Sequence, residues 1–297
     1  MNEEKCEYTS IFGIAKSCNI YPKNLTYGNK FFDKSDYYNI YDNNSVFVFT
    51  YQLNDFCEMI LPDLIKNEIK IVLVTGGDDY GVPNTIDKTY DTNFLSKLGP
   101  VLLKWCCTNY DNDELLEEFL PIPMGMNYSF ENLNSLDIEQ EIQNIDSAAD
   151  DLGDRIPKCL STYHWRLFEN DKTQDKWLAM EALNEKKFHR LTQCRLPGDK
   201  YFKTMSEYKF IVCPQSSAYD TYRIYEALAV GCIPIVKKNT LEPLYSLFPI
   251  LVIDEWKDLT DVSWTIFSQF EKSRQYHRIP LSLKYWVDAI NENKREM

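Results

Sequence analysis

Short apolar runs rich in β-branched and aromatic residues alternate along the chain with segments whose apolar residues recur every three or four positions. Val46-Phe47-Val48-Phe49-Thr50-Tyr51, Ile69–Val74 and Val101–Cys106 are of the first kind and predict strands. Phe56, Ile60, Leu61, Leu64 and Ile65 share one face and predict a helix over 55–67, capped by Asn54 or Asp55 and kinked at Pro62. Residues 93–98 and Asp113–Leu120 predict two further helices, and Pro121–Gly125 an extended exit. Residues 1–45 are polar, aromatic and only weakly periodic.

Residues 131–155 are rich in acidic and amide side chains with few large apolar ones, which places a domain boundary there and divides the chain into 1–150 and 151–297. The second half predicts a strand over Lys158–Tyr163, a helix over 173–185 and a short helix over Lys200–Tyr208. A tighter rhythm follows. Phe210–Cys213 reads as a strand, Thr221–Val230 as a helix capped by Asp220, Cys232–Val236 as a strand, Leu241–Leu247 as a helix and Ile250–Ile253 as a strand. Two helices, over 255–272 and 281–296, close the chain, and the last has room to cross back to the first domain.

Strand–helix–strand order implies parallel βαβ units. The expected class is therefore α/β, with two Rossmann-like domains whose parallel sheets face a central cleft. Open parallel sheets bind ligands beyond the carboxyl ends of their strands, which singles out the loops 75–83 and 214–220.

Composition narrows the partners. Among 297 residues, 45 are acidic and 32 basic, so the net charge is −13 and no general field attracts nucleic acid or an anionic membrane. An anionic ligand needs a local cation. The 44% hydrophobic and 14% aromatic content excludes a disordered chain as the overall class. The nine cysteines form no C-x-x-C pair and several lie in apolar runs, so buried reduced thiols are expected rather than zinc ligands. MNEEKCEYTS lacks the basic and apolar regions of a signal peptide, and no apolar run is long enough to span a bilayer. A cytoplasmic protein is the expectation.

The most informative stretch runs from Phe210 to Val236. A strand ends at Pro214, and a loop of small polar residues, Gln215-Ser216-Ser217-Ala218, leads to a helix N-terminus suited to phosphate. Arg223 and Glu226 are three apart and share a helix face. An arginine there can bind a diphosphate bidentately, and a glutamate one turn on can accept two ribose hydroxyls. The alternative is structural: Asp220 caps the helix and Arg223 pairs with Glu226.

This segment resembles the nucleotide-sugar motif of exostosin-like glycosyltransferases, whose bacterial and viral members read approximately P-P-G-N-G-I-D-T-H-R-x-W-E-A-L-x-x-G-C-I-P-I-V. Pro214, Asp220, Thr221, Arg223, Glu226, Ala227, Leu228 and Gly231 through Val236 match. The continuation through Phe248-Pro249 to Asp254-Glu255-Trp256 is similar to the family's ending. Looser likeness extends to Val72–Pro83, Lys104-Trp105 and Pro121–Asn127. Ser216-Ser217-Ala218 stands where the family has Gly-Asn-Gly, and Tyr222 where it has His.

The resemblance implies a GT-B fold and a metal-independent glycosyltransferase without a cofactor. Its donor is a nucleotide diphosphate sugar and its acceptor a glycan or a protein- or lipid-linked chain. Pro214, Ser216, Ser217, Asp220, Thr221, Arg223 and Glu226 are the expected donor contacts, with His164 or Arg166 facing the cleft after the first strand of the second half. Asp78 and Asp79 are candidates for a general base on the acceptor hydroxyl. Asp111-Asn112-Asp113 offers a D-x-D of the kind that holds a cation in GT-A enzymes, or simply an acidic helix start. A GT-A enzyme and a non-catalytic sugar-binding scaffold are the rival readings.

Overall fold

The computed structural model describes residues 2–26, 28, 31–129, 134–148, 155–162, 174–192, 196, 198–268, 279–292 and 294. The chain divides into two compact units, Glu3–Met124 together with the segment from Ser282 onward, and Gly125–Leu281.

In chain order the first unit contains α1 (Ile11–Ser17), β1 (Asn44–Phe49), α2 (Leu53–Met59), α3 (Leu61–Lys66), β2 (Ile71–Gly76), α4 (Asn84–Tyr90), α5 (Phe94–Leu98), β3 (Leu102–Cys107) and β4 (Phe119–Pro121). Its four strands pair in parallel in the order β1-β2-β3-β4. Such a sheet is covered on both faces, which is why Ser45 through Phe49 and Ile71 through Gly76 are buried without alternation. Val46, Leu73, Trp105 and Phe119 stand in one register row. The Trp105 ring stacks on Phe119 at 5.1 Å, and its Nε1–H donates to Thr75 Oγ1 at 2.9 Å.

Pro62 does break the predicted helix. α2 ends at Met59, Ile60 forms the joint, and Pro62 lies in the first turn of α3, where a missing N–H costs nothing. Asp113–Leu120 is not helical. Phe119 leaves that segment to join β3 as β4, beside Trp105, and Pro121 and Pro123 keep the exit extended. α1 lies in the stretch that looked unpatterned: Ser10 caps it through Gly13 N–H at 2.9 Å, and Ile11, Phe12, Ile14 and Ala15 are buried.

The second unit contains α6 (Ser135–Ala148), β5 (Ile156–Ser161), α7 (Asp175–Leu183), β6 (His189–Leu191), α8 (Gly198–Ser206), β7 (Tyr208–Val212), α9 (Tyr222–Ala229), β8 (Ile233–Lys237), α10 (Glu242–Tyr245), β9 (Leu251–Ile253) and α11 (Asp261–Phe267). α6 occupies the acidic stretch, with Ile138 and Ile142 buried one turn apart. The long final helices expected over 255–272 and 281–296 are shorter: a turn at Trp256–Asp258 precedes α11, and the chain returns to the first unit as α12 (Leu283–Glu292).

All five strands of the second sheet are parallel, in the order β6-β5-β7-β8-β9. From β5 the chain moves outward to β6 and then crosses back to β7 on the other side of β5. The strand order therefore reverses between β5 and β7. Phe210, Val212, Ile233, Ile235, Trp256 and Trp264 fill the core on one face, and Phe188 stacks on Trp264 at 4.6 Å. Both units are thus parallel α/β sheets of Rossmann-like kind. The eight described cysteines are free and buried, and burial pushes thiols such as Cys18 and Cys159 up to about 12. Among the described residues no helix is long and apolar enough to cross a membrane.

Candidate functional site

The loop between β7 and α9 begins with buried Cys213 and Pro214, exposes Ser216 and Ser217, and buries Ala218 and Asp220. Thr221, in extended conformation, is the N-cap of α9 and makes no side-chain cap bond. Asp220 is therefore not the cap. It is 1% exposed and braces the helix one turn in, accepting from Tyr225 Oη at 2.7 Å and from Thr221 N–H at 2.8 Å. At the other end of α9, the buried Arg155 guanidinium donates to Val230 O at 2.7 Å, a cation at a helix C-terminus.

Arg223 and Glu226 do share a face of α9, and it is an inner one. Arg223 is half-buried, and its Nε–H donates to Thr162 Oγ1 at 3.0 Å. Thr162 directly follows β5, so this bond spans the gap between β5 and β7 where the strand order reverses. Ligands of open α/β sheets bind at such a point. Glu226 is 4% exposed, and its Oε2 accepts from Tyr201 Oη, on α8, at 2.8 Å. Burial pushes the Glu226 carboxyl up to about 7, against the pull of Tyr201, the Arg223 charge and the Asn127 N–H.

A second group lies at the ends of β7, β8 and β9. The Asp175 carboxylate, on the first residue of α7, accepts from Gln215 N–H at 2.7 Å and from Trp256 Nε1–H at 2.7 Å, with Lys237 Nζ at 3.6 Å. The next residue, Lys176, donates to Ser216 Oγ at 2.7 Å. Thr162, Asp175, Lys176 and Tyr201 are not legible as site residues in the sequence, and Lys237 reads there as an exposed residue after a strand. Asp175 and Lys176 reach the loop, Thr162 and Tyr201 reach α9 and Lys237 reaches Asp175, all from other elements, and only an acidic residue opening a helix signals any of them. His164 and Arg166 lie outside the described residues.

In the first unit, β2 ends in Gly76-Gly77-Asp78-Asp79. Gly77 has φ +84°, and a Cβ there would run into the Phe49 ring. The turn aims the Asp78 carboxylate back at the sheet's carboxyl end, where it accepts from Tyr51 N–H at 3.0 Å and Tyr80 N–H at 2.9 Å. Asn109 Nδ2 holds the Asp78 carbonyl at 3.0 Å. Burial, helped by the charge of Asp79, pushes the Asp78 carboxyl up to about 7 despite those two N–H bonds. Asp79 is exposed.

Asp111 and Asp113 do not act together. Asp111 is buried and caps α4 from a distant loop, accepting from Asn84 N–H at 2.7 Å and from Thr85 N–H and Oγ1 at 2.7 and 2.6 Å. Asp113 is exposed. Among the described residues no three of His, Cys, Asp and Glu gather as a metal site. A Cβ on Gly81 would overlap the Asp111 carboxylate. Gly81→Ala is therefore expected to cost about 1–3 kcal/mol, the usual penalty of overpacking, read by urea unfolding.

Residues 166–289 match the family model of the RXYLT1 C-terminal domain. That match covers the loop, α9 and the α7 group. It supports a glycosyltransferase relationship, of xylosyltransferase-related and exostosin-like kind, for this part of the chain. No curated protein matches the sequence at a significant level.

The Glu226–Tyr201 bond carries a test of its own. Tyr201→Phe removes one hydrogen bond from a buried carboxylate that keeps the Arg223 charge and the Asn127 N–H, and is expected to cost about 1–3 kcal/mol in urea unfolding. Adding Glu226→Gln removes the less well compensated charge and should restore part of that loss.

Proposed function

We propose that this protein is a glycosyltransferase of GT-B type that moves a sugar from a nucleotide diphosphate sugar to a glycan or a protein- or lipid-linked acceptor. One observation carries the reading. Arg223, on the first turn of α9 and inside the segment matching the family model, is tied to Thr162, which precedes that segment, across the point where the second sheet reverses its strand order.

The donor's phosphates lie on the loop from Ser216 to Thr221, against the α9 N–H groups and Arg223, and its ribose on the Glu226–Tyr201 pair. Asp78 of the first unit is the candidate base for the acceptor hydroxyl. Its oxygen attacks the anomeric carbon, the bond from that carbon to the diphosphate oxygen breaks, and the electron pair leaves on the diphosphate. In an inverting reaction a general base, for which Asp78 is the candidate, takes the hydroxyl proton. Arg223 and the helix terminus stabilise the leaving charge, so the reading calls for no metal.

Calorimetric titration with a panel of UDP-, GDP-, CDP-, ADP- and TDP-sugars tests it. At least one is expected to bind, and turnover is expected to survive EDTA. A chain that binds none of them is a scaffold, and turnover lost to EDTA would favour a metal-dependent enzyme.

A further inference from the structure

We infer that Lys176 is a second cation of the donor's diphosphate site, and that Asp175 is the residue that positions it. The inference rests on the glycosyltransferase reading above.

The first turn of α7 is fixed with unusual thoroughness. Through one carboxylate, Asp175 is joined to the loops that follow three neighbouring strands: Gln215 N–H after β7, Lys237 Nζ at the end of β8, and Trp256 Nε1–H after β9. Trp256 is itself 2% exposed and part of the core, so the anchor is rigid. Lys176, the next residue, is carried by that anchored backbone. Its Nζ stands 2.7 Å from Ser216 Oγ, on the exposed part of the same loop.

The loop thus has a cation at each end. Lys176 touches it at Ser216, near its start, and Arg223 follows its last residue, Thr221, on α9. A diphosphate has two phosphoryl groups, and its two negative centres match two cations set apart along one loop. The net charge of −13 makes such local cations the means by which an anion is held at all. The ammonium on Ser216 Oγ can turn to a phosphate oxygen without moving the backbone, and the freed hydroxyl can donate to the same group. The side chain is half-buried and outside the core cluster, so its loss is expected to leave the chain folded.

The test uses the full chain. UDP, GDP, CDP, ADP and TDP, with the matching monophosphates, are titrated calorimetrically into the wild type, Lys176→Ala, Lys176→Arg and Arg223→Ala. The diphosphate that binds the wild type is expected to bind Lys176→Ala about tenfold more weakly or worse, as befits the loss of a charge-assisted bond. The loss should be smaller for the monophosphate, Lys176→Arg should recover most of the affinity, and the melting temperature without ligand should not move. Asp175→Asn should weaken the diphosphate in the same direction, and Lys176→Ala in that background should add little. If Lys176→Ala binds the diphosphate as tightly as wild type while Arg223→Ala does not, this inference falls and the donor site stands. If no diphosphate binds the wild type, the glycosyltransferase reading falls and takes the inference with it.

Discussion

Arg223→Ala is expected to lower sugar transfer by about 10²–10³-fold, the range for removing one group that stabilises charge in a transition state. The folded protein should survive the change. What is lost structurally is the bond to Thr162 and a cation near Glu226. The first is worth about 1.5–3 kcal/mol for a charged donor. The second would ordinarily be severe, because it strands a buried carboxylate. Glu226, however, already titrates at about 7, so near neutrality it can take up a proton instead of remaining an uncompensated ion. A drop of a few degrees in melting temperature at pH 6, and a larger one at pH 8, is the expected signature. Release of nucleoside diphosphate in the presence of acceptor measures the transfer. A variant that still transfers at the wild-type rate would remove Arg223 from the site, and wild-type melting beside it would exclude a structural role as well.

Asp78→Asn is expected to lose activity and gain stability at once. A base raised to about 7 should give wild-type transfer a rising limb through neutrality, and its removal should cost about 10²–10⁴-fold and abolish that limb. Stability moves the other way. The carboxyl binds its proton more tightly folded than unfolded, so between about pH 4 and pH 7 the native state holds more protons than the unfolded chain. Stability therefore falls as pH rises through that window, and the full penalty applies above it. Glu226, raised in the same direction, adds to the slope. Wild type should melt higher at pH 5 than at pH 8, and Asp78→Asn should flatten that difference. The gain at pH 8 is bounded at about 4 kcal/mol by the size of the shift, less the charge-assisted part of the Tyr51 and Tyr80 bonds. If Asp78→Asn keeps the rising limb, the base is another group.

The segment from β7 to β8 could be read from residue order because its meaning is local: an apolar run, a polar loop, a helix with Arg223 and Glu226 three apart, and a second apolar run. What those side chains face is not local. Glu226 is buried and its carboxylate is held by Tyr201 of α8, and Asp220 is drawn away from the cap by Tyr225. Asp111, plausible as half of a metal motif, is consumed by the helix start of α4, twenty-odd residues upstream. The Asp113–Leu120 helix failed for the same reason: acidic residues and leucines favour a helix in isolation, and the open edge of β3 favours Phe119 as a strand partner. In each case the decision belonged to a contact that only the folded chain makes.

The first unit is closed by the last helix. α12 buries Leu283, Trp286 and Ile290, a Cβ on Gly13 of α1 would meet Leu283, and Leu283 N–H donates to Glu7 O at 2.8 Å beside an antiparallel bridge from Tyr8 to Ser282. The order in which the chain leaves the ribosome is therefore not the order in which its parts can be finished. Gly125–Leu281 is contiguous and has all its strands once Ile253 has emerged, while the earlier-made sheet must wait, with one side of α1 uncovered, until Ile290 is translated. The half that is synthesised first is completed last, and a nascent chain stalled before α12 would present that apolar side of α1 to chaperones.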